Sequence, residues 1–398
     1  MSYPEIPDYR ELVKLITQYA EQKREYGATH VSPILARVED ALKSAIEELK
    51  ALPIDPILAQ KEPDDLDEIQ RLRSRGPRRL WNELDKTRYQ DRLEGALLGR
   101  FAGCTLGAPV EFWSIERMAS LAKENNDDFP PTDYWGYVPD PFDLRYGVSP
   151  REMYTREKVD GVAADDDLAY TILGLLIAEE FGLNFTTEDV GKAWLKYLPL
   201  AYGPEAIALA NLKAGYSAIQ AGEIGNPYTE GLGAFIRSDP WGYMAPGWPE
   251  QAAAFAYRDA FISHRRQGVY GAMFFAATIA AAFALDDPIE ALEVGLTEIP
   301  RESALARTVR WALDISPQIK GYREARDAVE ERFKGLHNWH VLPNTCLVIW
   351  GITMGTTDFT RAIGETVAMG KDNDCTAATA GQYRGSCAWE EEHPRTLV

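Results

Sequence analysis

The chain contains 398 residues, 45% of them hydrophobic, and carries a formal net charge of -19 at pH 7. This composition is ordinary for a large globular protein. The charge argues against non-specific nucleic-acid binding, because the surface as a whole would repel a polyanion. Any anionic ligand would need local compensation from metal ions, helix N-termini or a few arginines.

Membrane insertion and export are not indicated by the sequence. Apolar runs are too short to span a bilayer, and the N-terminus lacks the basic and then apolar order of a secretory signal. The four cysteines, Cys104, Cys346, Cys375 and Cys387, show neither Cys-x-x-Cys spacing nor the density of a disulfide framework. We therefore expect a cytoplasmic protein without a nucleic-acid or membrane partner.

Residues 1–90 are predicted to form an N-terminal helical extension. Helical periodicity is present over 9–24 and 31–52, and it is followed by a break at Pro53 and an acidic connector over 61–65. No residue in this part marks a ligand. Packing on the main domain, a homodimer contact and a recognition module all remain open.

Residues 91–398 are predicted to form one mostly helical domain, because apolar residues recur at helical spacing and extended alternation is scarce. Several predicted helices have proline at their first position, as is typical of helix starts. Predicted helices of this domain span 204–221, 249–262, 268–285, 288–296, 302–315, 323–333, 345–354 and 359–369, and those that start at 204, 249 and 288 begin with proline. The pattern indicates an all-α fold, an orthogonal multi-helix bundle.

Between residues 123 and 160 the composition shifts to proline, aspartate, glycine and aromatic residues. The rings are Phe129, Tyr134, Trp135, Tyr137, Phe142 and Tyr146. Loops of this length inside a compact domain are often functional lids, and these rings could stack on a base or a sugar. The alternative is a small cluster of rings that pins the loop to the core.

Two acidic clusters stand about two hundred residues apart. They are Asp165-Asp166-Asp167 and Asp372-Asn373-Asp374, and each precedes a predicted helix. Crowded carboxylates repel one another unless a divalent cation or a helix N-terminus compensates for them. Oxygen ligands without a matching cysteine or histidine set favour magnesium, with manganese or calcium as alternatives, over zinc. Taken alone, each cluster is also compatible with an exposed helix cap.

The helix predicted after Asp374 begins with a run of small residues, 375–381, which is typical of close packing against a neighbouring helix. Gly381 within this run weakens the expectation of a continuous helix. After Asp167, Leu168, Ile172 and Leu175 recur at helical spacing and predict one apolar face.

The glycine-punctuated segment from Asp91 to Glu111 resembles the opening motif of the ADP-ribosylglycohydrolase family, and in particular of its dinitrogenase reductase-activating branch. In that family a Thr-Asp-Asp-Thr motif follows, and a Gly-Gly-Asp-Thr-Asp-Thr motif lies near the C-terminus. This chain has Ala163 to Asp167 and Gly370 to Cys375 in those places. The resemblance spans roughly residues 91 to 390. It implies an all-α fold and a site for one or two magnesium ions.

The resemblance also implies roles for individual residues. The metal ligands would be Asp165, Asp166, Asp167, Asp372 and Asp374. They would hold cations that bind the vicinal hydroxyls of a ribose. Glu111 would act as the general acid/base. A buried capping role is the alternative for Glu111.

Two departures from the family pattern bear on the metal site. The family's threonine ligands are replaced by Asp165 or Ala164, depending on register, and by Cys375. A thiol is a poor magnesium ligand, so we expect Cys375 to lie outside the coordination shell and one ion to bind weakly or not at all. The Gly-Asp pair of the opening motif is Gly103-Cys104 here.

Two further stretches resemble the family's substrate pocket. The first is glycine-rich and supplies Gly225, Asn226, Gly233 and Arg237, which would line the ribose and phosphate pocket. The second supplies His264, which resembles a histidine that opens a long inner helix near the substrate. A structural histidine with a satisfied hydrogen bond is the alternative for His264.

Together these residues predict a metal-dependent glycoside hydrolase that cleaves an N- or O-glycosidic bond at C1 of a ribosyl substrate. The substrate would be a small glycosyl compound or an ADP-ribosylated adduct. A neutral sugar would avoid the electrostatic penalty that an anionic ADP-ribosyl group meets on this surface. The alternative is a catalytically silent relative that binds ADP-ribose or a sugar, or neutralises a toxin.

Overall fold

The structure, a computed structural model, describes residues 6–137, 152–162 and 164–387. The chain divides into two compact units, residues 1–60 and residues 61–398. The described residues contain 20 α-helices, three short 3₁₀ helices and no β-strand. The predicted all-α fold is therefore confirmed.

The first unit contains helices α1 (Arg10–Glu25) and α2 (Val31–Lys50), and α3 (Pro56–Lys61) crosses its boundary. Within α1 and α2 only Val31 is buried, and several aliphatic side chains, including Leu12 and Leu49, are exposed. α3 begins at proline because the first helical position needs no donated backbone hydrogen bond. The role of this extension stays a prediction.

The second unit contains the remaining helices, which pack around a buried core. The first seven are α4 (Leu66–Leu72), α5 (Lys86–Gly107), α6 (Ile115–Asn125), α7 (Asp166–Phe181), α8 (Thr187–Tyr197), α9 (Gly203–Lys213) and α10 (Ala218–Ala221). The next five are α11 (Gly233–Ile236), α12 (Asp239–Tyr243), α13 (Pro249–Ala260), α14 (Gln267–Ala282) and α15 (Pro288–Leu296). The last five are α16 (Ala304–Ile315), α17 (Tyr322–Arg332), α18 (Val341–Met354), α19 (Phe359–Ala368) and α20 (Asn373–Cys387).

The prediction of one continuous helix over residues 204–221 is wrong. Residues 204–221 form two helices, α9 and α10, because Gly215 has a positive φ of 93° between them. Ser217 then starts α10 with a capping box to Gln220, a local signal for a new helix.

α14 lies at the centre of the second unit, and every one of its residues is buried. It contacts α13 and α15 most extensively and also meets α11, α12 and α18. Its mostly apolar surface thus forms part of the core. None of the helices in the described parts of the chain combines the length and apolar character needed to cross a bilayer.

Among the described helices, α5 and α20 form the most extensive pair, and their backbones approach closely along the glycines of α5. The glycines of α5 recur every four residues and so share one face of the helix. A Cβ atom at Gly103 would overlap the carbonyl of Ala377, and one at Gly99 would overlap the carbonyl of Gly381. The close packing predicted for the small-residue run is confirmed, and Gly381 lies inside an unbroken α20.

Part of the aromatic segment packs inward. Trp135 is fully buried, and its indole Nε1 donates to the Leu106 carbonyl at 2.9 Å. Phe129 and Tyr134 pack against the same core cluster. These three rings support the interpretation in which the segment is pinned to the core. Phe142 and Tyr146 lie outside the described residues.

The α5–α20 contact predicts that Gly103→Ala destabilises the fold. Alanine favours a helix over glycine by about 1 kcal/mol, but the new methyl group would push the two backbones apart. We expect the free energy of unfolding, measured by urea denaturation, to fall by about 1–3 kcal/mol. Gly191→Ala in α8 is the matched control, because its Cβ would meet only side-chain atoms, the nearest at 3.1 Å. Equal stability of the two variants would contradict the backbone contact.

Candidate active site

Glu111 follows the end of α5 and is half-buried. The next residue, Phe112, has a positive φ of 59°, and its backbone N–H donates to the carbonyl of Lys371 at 2.9 Å. Lys371 itself has a φ of 63° and follows Gly370 at 70°. Left-handed backbone is unfavourable for residues other than glycine, and such strain gathers at functional sites. The hydrogen bond from Phe112 to Lys371 holds the Glu111 segment against the start of α20.

Acidic and thiol side chains meet where α5, α7 and α20 come together. In three overlapping groups the potential ligand atoms all lie within 4.8 Å of one another. The groups are Glu111, Asp372 and Asp374; Asp167, Asp374 and Cys375; and Cys104, Asp165 and Asp167. Asp374 and Asp167 each belong to two groups, so the seven residues form one continuous set, here called the acidic array.

Asp165 has two structural roles. It is the N-cap of α7, where its Oδ1 accepts from the backbone N–H of Asp167 at 3.2 Å, and its Oδ2 accepts from the hydroxyl of Tyr154 at 3.3 Å. It also belongs to the acidic array. The cap and the metal-site interpretations of the first cluster are therefore compatible, because the N-terminus of α7 stabilises negative charge there.

Several carboxylates in and beside the acidic array have raised pKa values. Beside the acidic array, burial and then the charges of Asp165 and Asp372 together raise the pKa of Asp166 to about 8. Burial also raises the pKa of Asp372 to about 6 and lifts that of Asp374 well above its usual range. Crowded carboxylates in a region of low dielectric favour their protonated forms unless positive charge is supplied.

Arg100 supplies part of that charge and was not identified from the sequence. Its buried guanidinium forms ion pairs with Asp167 at 3.0 Å and with Asp239 at 2.8 Å, and it donates to the carbonyl of Ile236 at 2.6 Å. The available signal was position, since Arg100 lies inside the opening motif, one helical turn before Cys104.

The donor types decide which cation fits. In the group formed by Glu111, Asp372 and Asp374 all donors are oxygens, as magnesium prefers. The Oδ1 atoms of Asp372 and Asp374 are buried, and within the described chain they have no hydrogen-bond partner. This group therefore suits a hard divalent cation, whereas the two groups that contain a thiol do not match magnesium.

Arg237 and Gly233, two of the predicted substrate residues, lie in a second buried cluster. Arg237 donates to Glu205 at 2.5 Å, to Asp259 at 2.7 Å and to the hydroxyl of Ser263 at 2.8 Å. A Cβ at Gly233 would overlap the Glu205 carboxylate. The guanidinium of Arg237 is thus shared between two buried carboxylates.

The remaining three predicted substrate residues lie around the same cluster. The Nδ1 of His264 shares a hydrogen bond of 2.8 Å with the Ser263 hydroxyl. Burial, followed by the charge of Arg237, lowers the pKa of His264 well below its usual range, so the ring is neutral at pH 7. Asn226 donates to the Ser263 carbonyl at 2.9 Å, and Gly225 precedes it with a φ of 63°.

Glu205 connects this second cluster to the acidic array. Burial raises the pKa of Glu205 to about 7 despite its contact with Arg237. Its charge in turn adds to the elevated pKa of Asp166. The structure therefore brings four of the five predicted metal ligands, Asp165, Asp167, Asp372 and Asp374, into the acidic array, whereas Asp166 belongs to none of the three donor groups. The predicted substrate residues lie in the second cluster.

A cleft of about 560 Å³ opens beside Asp165, between α5, α7 and α12. Its walls are mainly apolar and include Phe101, Leu168, Ile172 and Tyr243. The apolar face predicted after Asp167 contributes one of these walls. An apolar group could therefore lie next to the acidic array.

The Arg100 contacts predict a large loss of stability in Arg100→Met, because Asp167 and Asp239 would keep buried charges without their partner. We expect the free energy of unfolding to fall by about 3–5 kcal/mol, measured by chemical denaturation. Arg71→Met removes an exposed pair with Glu68 and should cost no more than about 1 kcal/mol. A similar small loss in both variants would show that Arg100 is not needed to compensate these carboxylates.

Comparisons with known proteins agree with this arrangement. An uncharacterised protein of Archaeoglobus fulgidus is 26% identical over 301 residues, which cover 75% of this chain and 88% of that protein. A solved structure of an ADP-ribosylglycohydrolase-related protein complex matches the fold with a TM-score of 0.53 at 20% identity, over 78% of this chain and 92% of that one. The profile of the ADP-ribosylglycohydrolase family matches residues 85–395. The predicted resemblance is thus confirmed, and the chain belongs to the ADP-ribosylglycohydrolase family.

Proposed function

We propose that this protein is a divalent-cation-dependent hydrolase that cleaves an N- or O-glycosidic bond at C1 of a ribosyl substrate. Family membership supports glycosidic hydrolysis as the reaction class. The observation that carries the proposal is the grouping of half-buried Glu111 with Asp372 and Asp374, whose carboxylates both contain a buried oxygen without a hydrogen-bond partner in the described chain.

Glu111 is the proposed general acid/base. It protonates the leaving atom or takes a proton from water as positive charge develops at C1. Its partial exposure leaves it accessible to a substrate, while the 2.9 Å backbone bond from Phe112 to Lys371 fixes its position. Positioned proton transfer of this kind contributes about 10²–10⁴-fold to a rate.

Five carboxylates would hold the cation or cations of the site, namely those of Asp165, Asp166, Asp167, Asp372 and Asp374. A bound divalent cation would supply Lewis acidity and a fixed anchor for vicinal sugar hydroxyls. The chain's own contribution is to place these oxygens in advance. α5 and α20 set the two halves of the acidic array, and the cap of α7 sets Asp165.

Charge favours a neutral ribosyl or other glycosyl substrate over an ADP-ribosyl group. Arg100, which contacts the acidic array, and Arg237, in the second cluster, are each paired with two buried carboxylates. A diphosphate would have to break one of these pairs on a chain of net charge -19. The apolar cleft beside Asp165 would instead accept an uncharged leaving group.

A catalytically silent relative that binds a sugar or ADP-ribose is the second candidate. Cys375 supports it, because a thiol at this position replaces a hard oxygen donor in the family motif. The two candidates differ in what they require of Glu111, which a binding protein does not need for proton transfer.

Glu111→Gln should reduce hydrolysis by about 10²–10⁴-fold, because the amide cannot exchange a proton. The assay is release of the leaving group from a panel of O-ribosides, N-ribosides and an ADP-ribosylated adduct. Glu116→Gln, at an exposed position of α6, is the control and should retain full activity. Unchanged hydrolysis in Glu111→Gln would remove the proposed chemistry. Binding without turnover by the unaltered protein would establish the silent relative.

Divalent cations should raise the thermal unfolding temperature of the protein by a few degrees, because a cation that binds only the folded state stabilises it. Asp374→Asn should lose most of this increase, since Asp374 belongs to two donor groups. Asp314→Asn, at an exposed position of α16, is the control. The unfolding temperatures are measured by scanning calorimetry. An equal cation-induced increase in all three proteins would place the cation elsewhere.

A further inference from the structure

Two of the three donor groups in the acidic array contain a buried thiol. Cys375 replaces a threonine of the family motif, and Cys104 replaces an aspartate. The Sγ of Cys375 lies 3.0 Å from the Oδ2 of Asp167, and Cys104 groups with Asp165 and Asp167 within 4.8 Å. The substitutions therefore change the donor chemistry of the site without moving the donors away from it.

The carboxylates around Cys375 direct oxygens at one point. Arg100 donates to the Oδ1 of Asp167 at 3.0 Å, and the Cys375 thiol donates to the Oδ2 at 3.0 Å, a hydrogen bond that is lost when the thiol gives up its proton. Asp374 is also within 4.8 Å of both, and its Oδ1 is buried without a hydrogen-bond partner in the described chain. One sulfur and two carboxylate groups thus converge at a single buried point.

We propose that Asp167, Asp374 and Cys375 bind a thiophilic divalent cation of the Zn²⁺ class, and that this position selects it over Mg²⁺. The inference rests on the proposed function, which places a cation in the acidic array, and it names the chemical class of that cation. As the metal–sulfur bond forms, the thiol proton of Cys375 is released to solvent and a sulfur lone pair enters the bond.

Bond lengths and ligand preference both favour this class. Zinc binds sulfur at about 2.3 Å and oxygen at about 2.0–2.2 Å, so a tetrahedral ion separates the two donor atoms by roughly 3.5 Å. The Sγ of Cys375 and the Oδ2 of Asp167, joined by a hydrogen bond of 3.0 Å, need to separate by only about 0.5 Å to reach that distance. Mg²⁺ requires near-octahedral oxygen ligands and keeps several waters, which a buried group with a thiol does not provide. The neighbouring oxygen-only group, which shares Asp374, remains suited to a hard cation.

Cobalt(II) provides the test, because it occupies zinc sites and gives a near-ultraviolet charge-transfer band only when a thiolate binds it. Metal-free full-length protein is titrated with CoCl₂ under anaerobic conditions and then challenged with ZnCl₂ or with excess MgCl₂. We expect a thiolate band that ZnCl₂ displaces and MgCl₂ does not. A missing band, or displacement by MgCl₂, would overturn the proposal.

Substitutions assign the band to one sulfur. Cys375→Ser should abolish it and weaken Co²⁺ binding by more than about 10-fold, since loss of even an outer hydrogen-bond partner of a ligand costs at least that much. Cys346→Ser, a buried cysteine of α18 outside the three donor groups, is the control and should retain the band. If Cys375→Ser does not fold, Cys375→Thr takes its place. A band that persists in the folded variant would overturn the assignment to Cys375.

The spectrum separates this inference from the proposed reaction. Glu111 lies outside the group formed by Asp167, Asp374 and Cys375, so Glu111→Gln should keep the Co²⁺ band. An intact thiolate band in a protein that hydrolyses no riboside would contradict the proposed reaction alone. Hydrolysis that depends on Mg²⁺ in a protein without the band would contradict the present inference alone.

Discussion

The rest of the structure depends on the backbone contact between α5 and α20. Because glycines recur every four residues on one face of α5, the helices approach so closely that a Cβ at Gly103 would overlap the carbonyl of Ala377. The end of α5 therefore meets the start of α20, where a Cβ at Gly107 would overlap the backbone of Asp374. This approach brings residues from opposite ends of the domain into one site.

The energetic consequence of that contact is a concentration of negative charge that the fold only partly balances. Arg100 pairs with Asp167, and the N-terminus of α7 stabilises its capping carboxylate. Among the described residues no cationic side chain pairs with Asp372 or Asp374, and burial raises the pKa of both. Left-handed backbone at Phe112 and Lys371 adds conformational strain at the same place. Such an arrangement is unfavourable for stability alone, and a bound cation is the simplest compensation.

The sequence predicted those parts of the structure that depend on local pattern. Helical periodicity predicted the all-α fold, and the small-residue run predicted the close packing of α20. Side-chain pairing was not predictable in the same way. Arg237 pairs with Glu205 and Asp259, which are distant in the sequence. Its role in a phosphate pocket stays a prediction. The hydrogen bond from the Cys375 thiol to Asp167 joins residues 208 positions apart in the chain, and the expectation that Cys375 lies outside a magnesium coordination shell stays a prediction. Contacts of this kind follow from packing that no local pattern encodes.

The second cluster affects the site through charge rather than through direct contact with the acidic array. The guanidinium of Arg237 forms ion pairs with Glu205 and Asp259, so a phosphate would have to compete with two carboxylates for it. Glu205 nevertheless raises the pKa of Asp166 from the second cluster, while Asp372 raises it from within the acidic array. The pKa of Asp166 therefore depends on the charge of the acidic array and on that of the second cluster. Added positive charge in the acidic array would favour the ionised form of Asp166, whereas loss of Arg237 would favour its protonated form. The neutral His264 beside this cluster cannot offset that effect at pH 7.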